Sequence, residues 1–392
     1  MDIDFAAWFG LAIRWLHLIT GAAWVGASFY FIWLDNSLKK VKDKESGVAG
    51  ELWAVHGGGF YHKKKYAVAP EHMPEDLHWF KWEAYFTWVS GFLLLALVYY
   101  YGASLYLIDR AKMDLTPFQA IFIGLSSIAG GWIFYNELCK TAIGKDNRLF
   151  GILWFAALTA AAYGLNQVFS GRGAYIHVGA IIGTVMAANV FMVIIPKQRK
   201  VVTAMLAGEK PDPELGRTAK QRSVHNNYMT LPVLLIMISN HYPMLFGSAY
   251  NWLILAGLGA AAWPIREFFN LKHKGIVDYR YPAVGAAGFI VVMLLASGGA
   301  KPAVSTETVS AAEIRTIVRT HCSNCHSDTP TFEGITEAPA GVMFDTMDEI
   351  KKHAPRIIVR AVEQETMPQG NTTNMTAEER KKLGAGLKPI GK

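Results

Sequence analysis

Apolar residues run in long, almost unbroken blocks over the first three quarters of this chain, and short polar stretches separate the blocks. Most blocks reach the ~20 residues that an α-helix needs to cross a bilayer. The pattern predicts eight membrane-spanning helices, at residues 6–34, 82–108, 117–138, 148–167, 173–196, 229–247, 249–268 and 281–300. Past residue 300 the pattern changes. A linker is expected over 301–309, and residues 310–392 are polar, with three capping boxes that each open a helix: Ser310 with Glu313, Thr346 with Glu349, and Thr376 with Glu379. The expected fold is all-α, a polytopic membrane helix bundle over residues 1–300 followed by a small helical domain over 310–392.

Composition agrees with a membrane protein: 52% of residues are hydrophobic and only 18% charged, which excludes an ordinary soluble domain. The net charge of +7 would suit nucleic acid, but its placement argues against that partner. The cations gather in alternate loops between the apolar blocks, as in Lys39, Lys40, Lys42 and Lys44, Lys63-Lys64-Lys65, and the stretch from Lys197 to Arg222. Membrane orientation accounts for such a pattern. It puts the basic loops in the cytoplasm and both termini on the outer face. The first apolar block follows the acidic Met1-Asp2-Ile3-Asp4 and no small-residue cleavage site comes after it, so it is read as a retained helix. His56-Gly57-Gly58-Gly59 shares the HGGG string of lipase oxyanion loops, but no G-x-S-x-G accompanies it.

Chemistry enters at Cys322-Ser323-Asn324-Cys325-His326. C-x-x-C-H is the attachment site of a c-type haem: Cys322 and Cys325 add to the vinyl groups and His326 reaches the iron. These are two of three cysteines in the chain, so with Cys139 alone there is no disulfide framework. A sixth iron ligand is expected from a methionine downstream. Met367 is the best placed, in a loop whose Pro368 rigidifies its approach; Met343 lies close to the motif and Met375 immediately precedes a helix cap. Haem c is attached outside the bacterial inner membrane, which is where the charge pattern delivers the tail.

Polar groups inside a membrane are costly and therefore functional candidates. They fall at two depths. Near the outer face lie Asn166, Gln167, His177, Asn240 and His241, with His17 deeper; near the cytoplasmic face lie Glu83, Asn136, Glu137, His225, Asn227, Thr230, Arg266 and Glu267. His17 sits on a Gly/Ala-rich helix that would accommodate a flat ring, so an internal b-type haem is a second expectation, with His177 or His241 as the opposite ligand.

Four segments carry a family resemblance: Trp15-Leu16-His17 through Trp24-Val25-Gly26-Ala27-Ser28-Phe29, His56 through Tyr61, Leu77-His78-Trp79-Phe80-Lys81-Trp82-Glu83-Ala84-Tyr85, and His225-Asn226-Asn227-Tyr228-Met229-Thr230-Leu231-Pro232. Together they resemble the membrane-bound urate oxidase (urate hydroxylase) family, in which an eight-helix domain precedes a cytochrome c domain. The resemblance implies oxidation of urate to 5-hydroxyisourate with water as the oxygen source. Electrons would pass to the fused haem and on to a respiratory-chain acceptor, with no hydrogen peroxide formed. A urate site needs a cation, amides, an aromatic platform and a base. The inner set offers Arg266, then Asn136 and Asn227, then Trp79, Trp82 or Tyr228, and Glu83 or Glu137 as the base.

Other classes fit less well. A haem-copper oxidase needs clustered histidines, and the chain has no His-His pair. Gly171-Arg172-Gly173 lacks the third glycine of a dinucleotide-binding turn. A transporter or a non-catalytic electron conduit with a cytochrome appendage stays open as the alternative.

Overall fold

The computed structural model describes residues 5–41, 47–68, 70, 72–297 and 309–388. The linker expected at 301–309 lies, but for residue 309, outside the described residues, as do Lys42 and Lys44. The chain is mostly helical, with little strand.

The bundle runs α1 (Phe5–Ser37), α2 (Trp82–Leu95), α3 (Ala103–Tyr106), α4 (Pro117–Lys140), α5 (Asn147–Val168), α6 (Gly171–Ala188), α7 (Ile195–Leu206), α8 (Pro213–Ser239), α9 (Pro243–Phe246), α10 (Asn251–His273) and α11 (Arg280–Ser297). Helix starts follow their caps. Thr116 and Gln119 form a capping box on α4, and the side chains of Asp146, Ser170 and Asp212 cap α5, α6 and α8. Wide π turns at Ala96–Tyr100 and Asn189–Ile194 extend α2 and join α6 to α7 without a break.

Among the described residues, six helices are long and apolar enough to cross a membrane: Ala7–Ser37, Trp82–Tyr100, Pro117–Lys140, Asn147–Val168, Gly171–Leu206 and Arg280–Ser297. The other two expected spans are present as helices α8 and α10, but both are diluted by polar residues. The first half of α8 carries Arg217, Lys220 and Arg222, and α10 carries Arg266 and Glu267. Large side chains such as Phe5, Trp15, Leu18, Phe118 and Ile152 stand largely exposed on the bundle surface, a pattern that hydrocarbon tolerates and water does not.

The all-α expectation misses one element. Within the loop at 35–81, β1 (Val48–His56) and β2 (Gly59–Tyr66) pair as an antiparallel hairpin. The HGGG string is its turn: Gly57 and Gly58 both have positive φ, 57° and 79°, which the two-residue type I′ connection requires and glycine supplies without strain. The hairpin docks on the end of α1 through Lys65 to Asp35 and Lys63 to the Tyr30 hydroxyl.

The tail forms α12 (Ala311–His321), α13 (Met347–Ile357) and α14 (Ala377–Leu387), each opened by the expected capping box with both reciprocal hydrogen bonds made. Its core gathers Ile314, Val318, Ile350, Ala354, Leu383 and Leu387. The tail packs on the bundle through the Gln364–Asn371 loop: a Cβ added at Gly370 would lie 2.8 Å from the Ser104 carbonyl oxygen, and one at Gly247 would lie 3.0 Å from Gln364 Cβ. Because α1 runs antiparallel to α2, this tail end of the bundle is opposite the hairpin end.

Candidate functional site

The tail motif Cys322-Ser323-Asn324-Cys325-His326 closes on itself. His326 N–H and Cys325 N–H both return to the Cys322 carbonyl, closing the tight turn. Cys322 and Cys325 are free thiols. His326 Nδ1–H donates to the Val342 carbonyl at 2.9 Å, which fixes the tautomer and leaves Nε2 as a lone pair for iron. Met367 packs on the same core as Cys322 and is braced by Arg380 Nη1, which donates to its carbonyl at 2.6 Å. Met375 is buried within that core as packing. This donor set is compatible with haem c, which Cys322 and Cys325 would tether and His326 and Met367 would hold at the iron.

In the bundle, α8 is the hub of the polar residues. Successive helical positions are turned by ~100°, so His225, Asn226 and Asn227 face three different neighbours. His225 Nδ1 pairs with the Tyr135 hydroxyl on α4 at 2.8 Å. Asn226 accepts from Asn189 at 2.9 Å and donates to the Met186 carbonyl. Asn227 accepts from Arg266 Nε at 2.6 Å and donates to Asn270 on α10. Arg222 joins the first group, donating to Asn189 at 3.1 Å and to Asn136 at 3.0 Å, with its guanidinium over the Tyr135 ring. Arg266 stacks over Phe29 of α1 at 3.9 Å. Among the described residues, three buried nitrogens here have no hydrogen-bond partner: Arg222 Nε, His225 Nε2 and Arg266 Nη2. Buried polar atoms are normally satisfied, so this layer is unusual.

The proposed inner set is therefore only partly brought together. Arg266 and Asn227 meet, and Asn136 meets Arg222 on the other side of α8. Glu137 is exposed and paired with Lys140 at 2.6 Å, and Glu83 is half-buried near the start of α2, outside both groups. Sequence reasoning missed Asn189, Arg222, Asn226 and Tyr135. Asn189 interrupts a purely apolar run and was the available signal; Arg222 was counted as loop charge. At the tail end, Asn166 and Asn240 tie helices together: Asn166 accepts from Lys112 and Asn251, and Asn240 from Tyr99 and Arg172. His177 is fully enclosed, with Nδ1 donating to the Gly173 carbonyl and Nε2 facing the Tyr100 hydroxyl.

A cavity of about 1420 Å³ runs between α1, α2, α6 and α8 from the hairpin end toward the tail end. At the hairpin end its walls carry Asp35, Lys65, Lys220, Gln198, Asn226 and Trp79; farther along come His17, then Arg172, Asn240 and His241. Of the expected site residues, His17, Trp79 and His241 line it, whereas His177, Arg266, Asn227, Asn136, Glu83 and Glu137 do not.

Comparison with known proteins bears on what this bundle is. The profile of the urate oxidase N-terminal family matches residues 4–297. The chain belongs to that family. The matched region begins with α1 and ends with α11, so the family unit is the whole bundle, hairpin included, and the tail lies beyond it. No curated protein and no solved structure matches the chain. Membership of the family gives urate-related oxidation as the activity and urate as the plausible substrate.

Proposed function

We propose that the chain is a membrane-bound urate oxidase that passes its electrons to its own c-type haem. The family match over residues 4–297, continuous with a tail that carries a folded C-x-x-C-H site, is the observation that carries this reading. Urate plus water gives 5-hydroxyisourate, two protons and two electrons, so no oxygen is reduced and no peroxide forms. Haem c, once bound, accepts those electrons one at a time and hands them to a respiratory-chain acceptor.

The hairpin end of the cavity supplies the groups that urate needs. Lys65 and Lys220 offer charge to the urate monoanion, Asn226 and Gln198 match the ring edge, and Trp79 provides an aromatic face. Asp35, bridged to both lysines, is the carboxylate positioned to take a proton as electrons leave. The hydrogen-bonded layer behind it, Asn189, Arg222 and Tyr135, holds Asn226 in place. In this reading the bundle lies in the bacterial inner membrane, the hairpin end faces the cytoplasm, and the tail sits on the outer face.

The test is anaerobic addition of urate to the purified, oxidised protein while the haem spectrum is recorded. Reduction of the c-type band supports the reading. A spectrum that stays oxidised with urate, yet is reduced by dithionite, overturns it. The transporter reading, to which the length of the cavity lends support, would then take its place.

A further inference from the structure

A purine does not account for the whole cavity. Its volume of about 1420 Å³ exceeds the ~300–1,000 Å³ that encloses a drug-sized ligand. The middle stretch is apolar, and Ala180 and Gly183, the latter with open space where a Cβ would stand, keep that part of its wall shallow. His17 lines this stretch. Its Nδ1 lies 3.0 Å from the Thr87 carbonyl and 3.1 Å from the Ser90 hydroxyl. A carbonyl only accepts, so Nδ1 carries the proton and Nε2 presents a lone pair. Among the described residues Nε2 makes no hydrogen bond. The ring is laid against α2 at Gly91, where an added Cβ would come 2.8 Å from its Cε1.

Toward the tail end the same cavity has two guanidinium groups. Arg14 lies one helical turn from His17, and Arg172 is held by the Tyr99 hydroxyl at 3.0 Å and Asn240 at 3.1 Å, stacked on Tyr106. We propose that this cavity binds an iron protoporphyrin non-covalently, with His17 Nε2 as an axial ligand and Arg14 and Arg172 paired with the two propionates. An imidazole fixed through one nitrogen with the other bare is the arrangement of a metal-ligating histidine. Two guanidiniums answer two carboxylates. A quinone would suit the apolar walls but has no charge for the arginines. His241 lines the same cavity and is the residue available to the opposite face of the iron. The site is read out by haem content alone, so it stands or falls separately from the urate reading.

The experiment is acid–acetone extraction of the full-length protein, which removes non-covalent haem and leaves haem c on the chain. About one extractable haem per covalent haem is expected. His17→Gly should lose the extractable haem while keeping haem c, and added imidazole with haemin should restore it. R14Q/R172Q, which leaves His17 intact, should surrender haem to excess apomyoglobin at least tenfold faster than the parent. The proposal is overturned if the parent yields only covalent haem, if a lipid or quinone is extracted in its place, if His17→Gly retains full extractable haem, or if the double variant releases haem at the parent rate.

Discussion

Arg222 Nη1 donates to Asn189 Oδ1 at 3.1 Å, and this contact fastens α8 to the wide turn where α6 becomes α7. Asn189 is fully enclosed and makes two further bonds, to Tyr135 and Asn226. Removing one partner strands a charged donor in the interior. A hydrogen bond to a charged group contributes about 1.5–3 kcal/mol, so Asn189→Ala should destabilise the bundle by that order. Arg222→Met, which removes the charge as well, should cost less in the Asn189→Ala background than alone. Thermal unfolding of the four variants in detergent checks the cycle, and strict additivity would count against a shared network.

The docking of the tail predicts a rate effect. Gly370 has φ 62° and faces carbonyl oxygens of Ser104, Leu105 and Ile108. Gly370→Val adds both backbone strain, of order 1–3 kcal/mol, and a clash with α3. Haem c content should be retained, while urate-driven haem reduction in stopped flow slows at least several-fold. An unchanged rate would show that electrons do not cross at this contact.

Substitution at the iron separates ligation from attachment. Cys322→Ala with Cys325→Ala should abolish covalent haem. Met367→Ala should keep haem c but lower its reduction potential, because a methionine ligand raises it. Met375→Leu, a swap within the packed core, should leave the potential unchanged. Redox titration of the two methionine variants against the parent distinguishes the methionines.

The tail should lose stability in acid. Glu379 accepts from the Thr376 N–H and from His321, and these bonds hold its carboxylate down to about 2, from an ordinary value of 4.5. A depressed folded-state value means that the stabilisation is complete above about pH 4.5 and is lost as pH falls toward 2. Glu379→Gln should flatten that part of the acid unfolding curve, followed by the haem c absorbance. The group is partly exposed, so the effect is modest.

At the cavity mouth, Lys65→Ala and Lys220→Ala should each raise the KM for urate with little loss of kcat, since each removes a charge from binding. Asp35→Asn should lower kcat instead. Steady-state assays across pH separate the two behaviours.

The sequence made much of this legible where a residue's local role is also its global one. The capping serine and threonines of the tail open its helices whatever the tertiary context, and C-x-x-C-H carries its chemistry in its spacing. Apolar blocks located the long helices for the same reason. The inner polar residues were harder. Asn136, Asn227 and Arg266 share a depth, but α8 lies between Asn136 and Arg266, and only the phase of the helix shows that His225, Asn226 and Asn227 part company. Glu137 looked interior by depth and is exposed because its face of α4 turns outward, where Lys140 meets it. The hairpin was hidden because its lysines read as loop charge, although paired glycines after His56 are also a turn signal.

The helix formed by α6 and α7 has one more consequence. Gly171–Leu206 is 36 residues, which at 1.5 Å per residue is about 54 Å, against a hydrocarbon thickness of about 30 Å. Set across a bilayer as proposed, the helix exceeds the hydrocarbon by about 24 Å, and apart from Arg172 at its start its cations are Lys197, Arg199 and Lys200, which mark the end that would project as a rigid mast. Gln198, Val201 and Val202, which line the cavity, lie on this projecting part. In that placement a molecule arriving from water would meet the cavity before the bilayer, and a charged solute would be admitted without surrendering its hydration to lipid on the way.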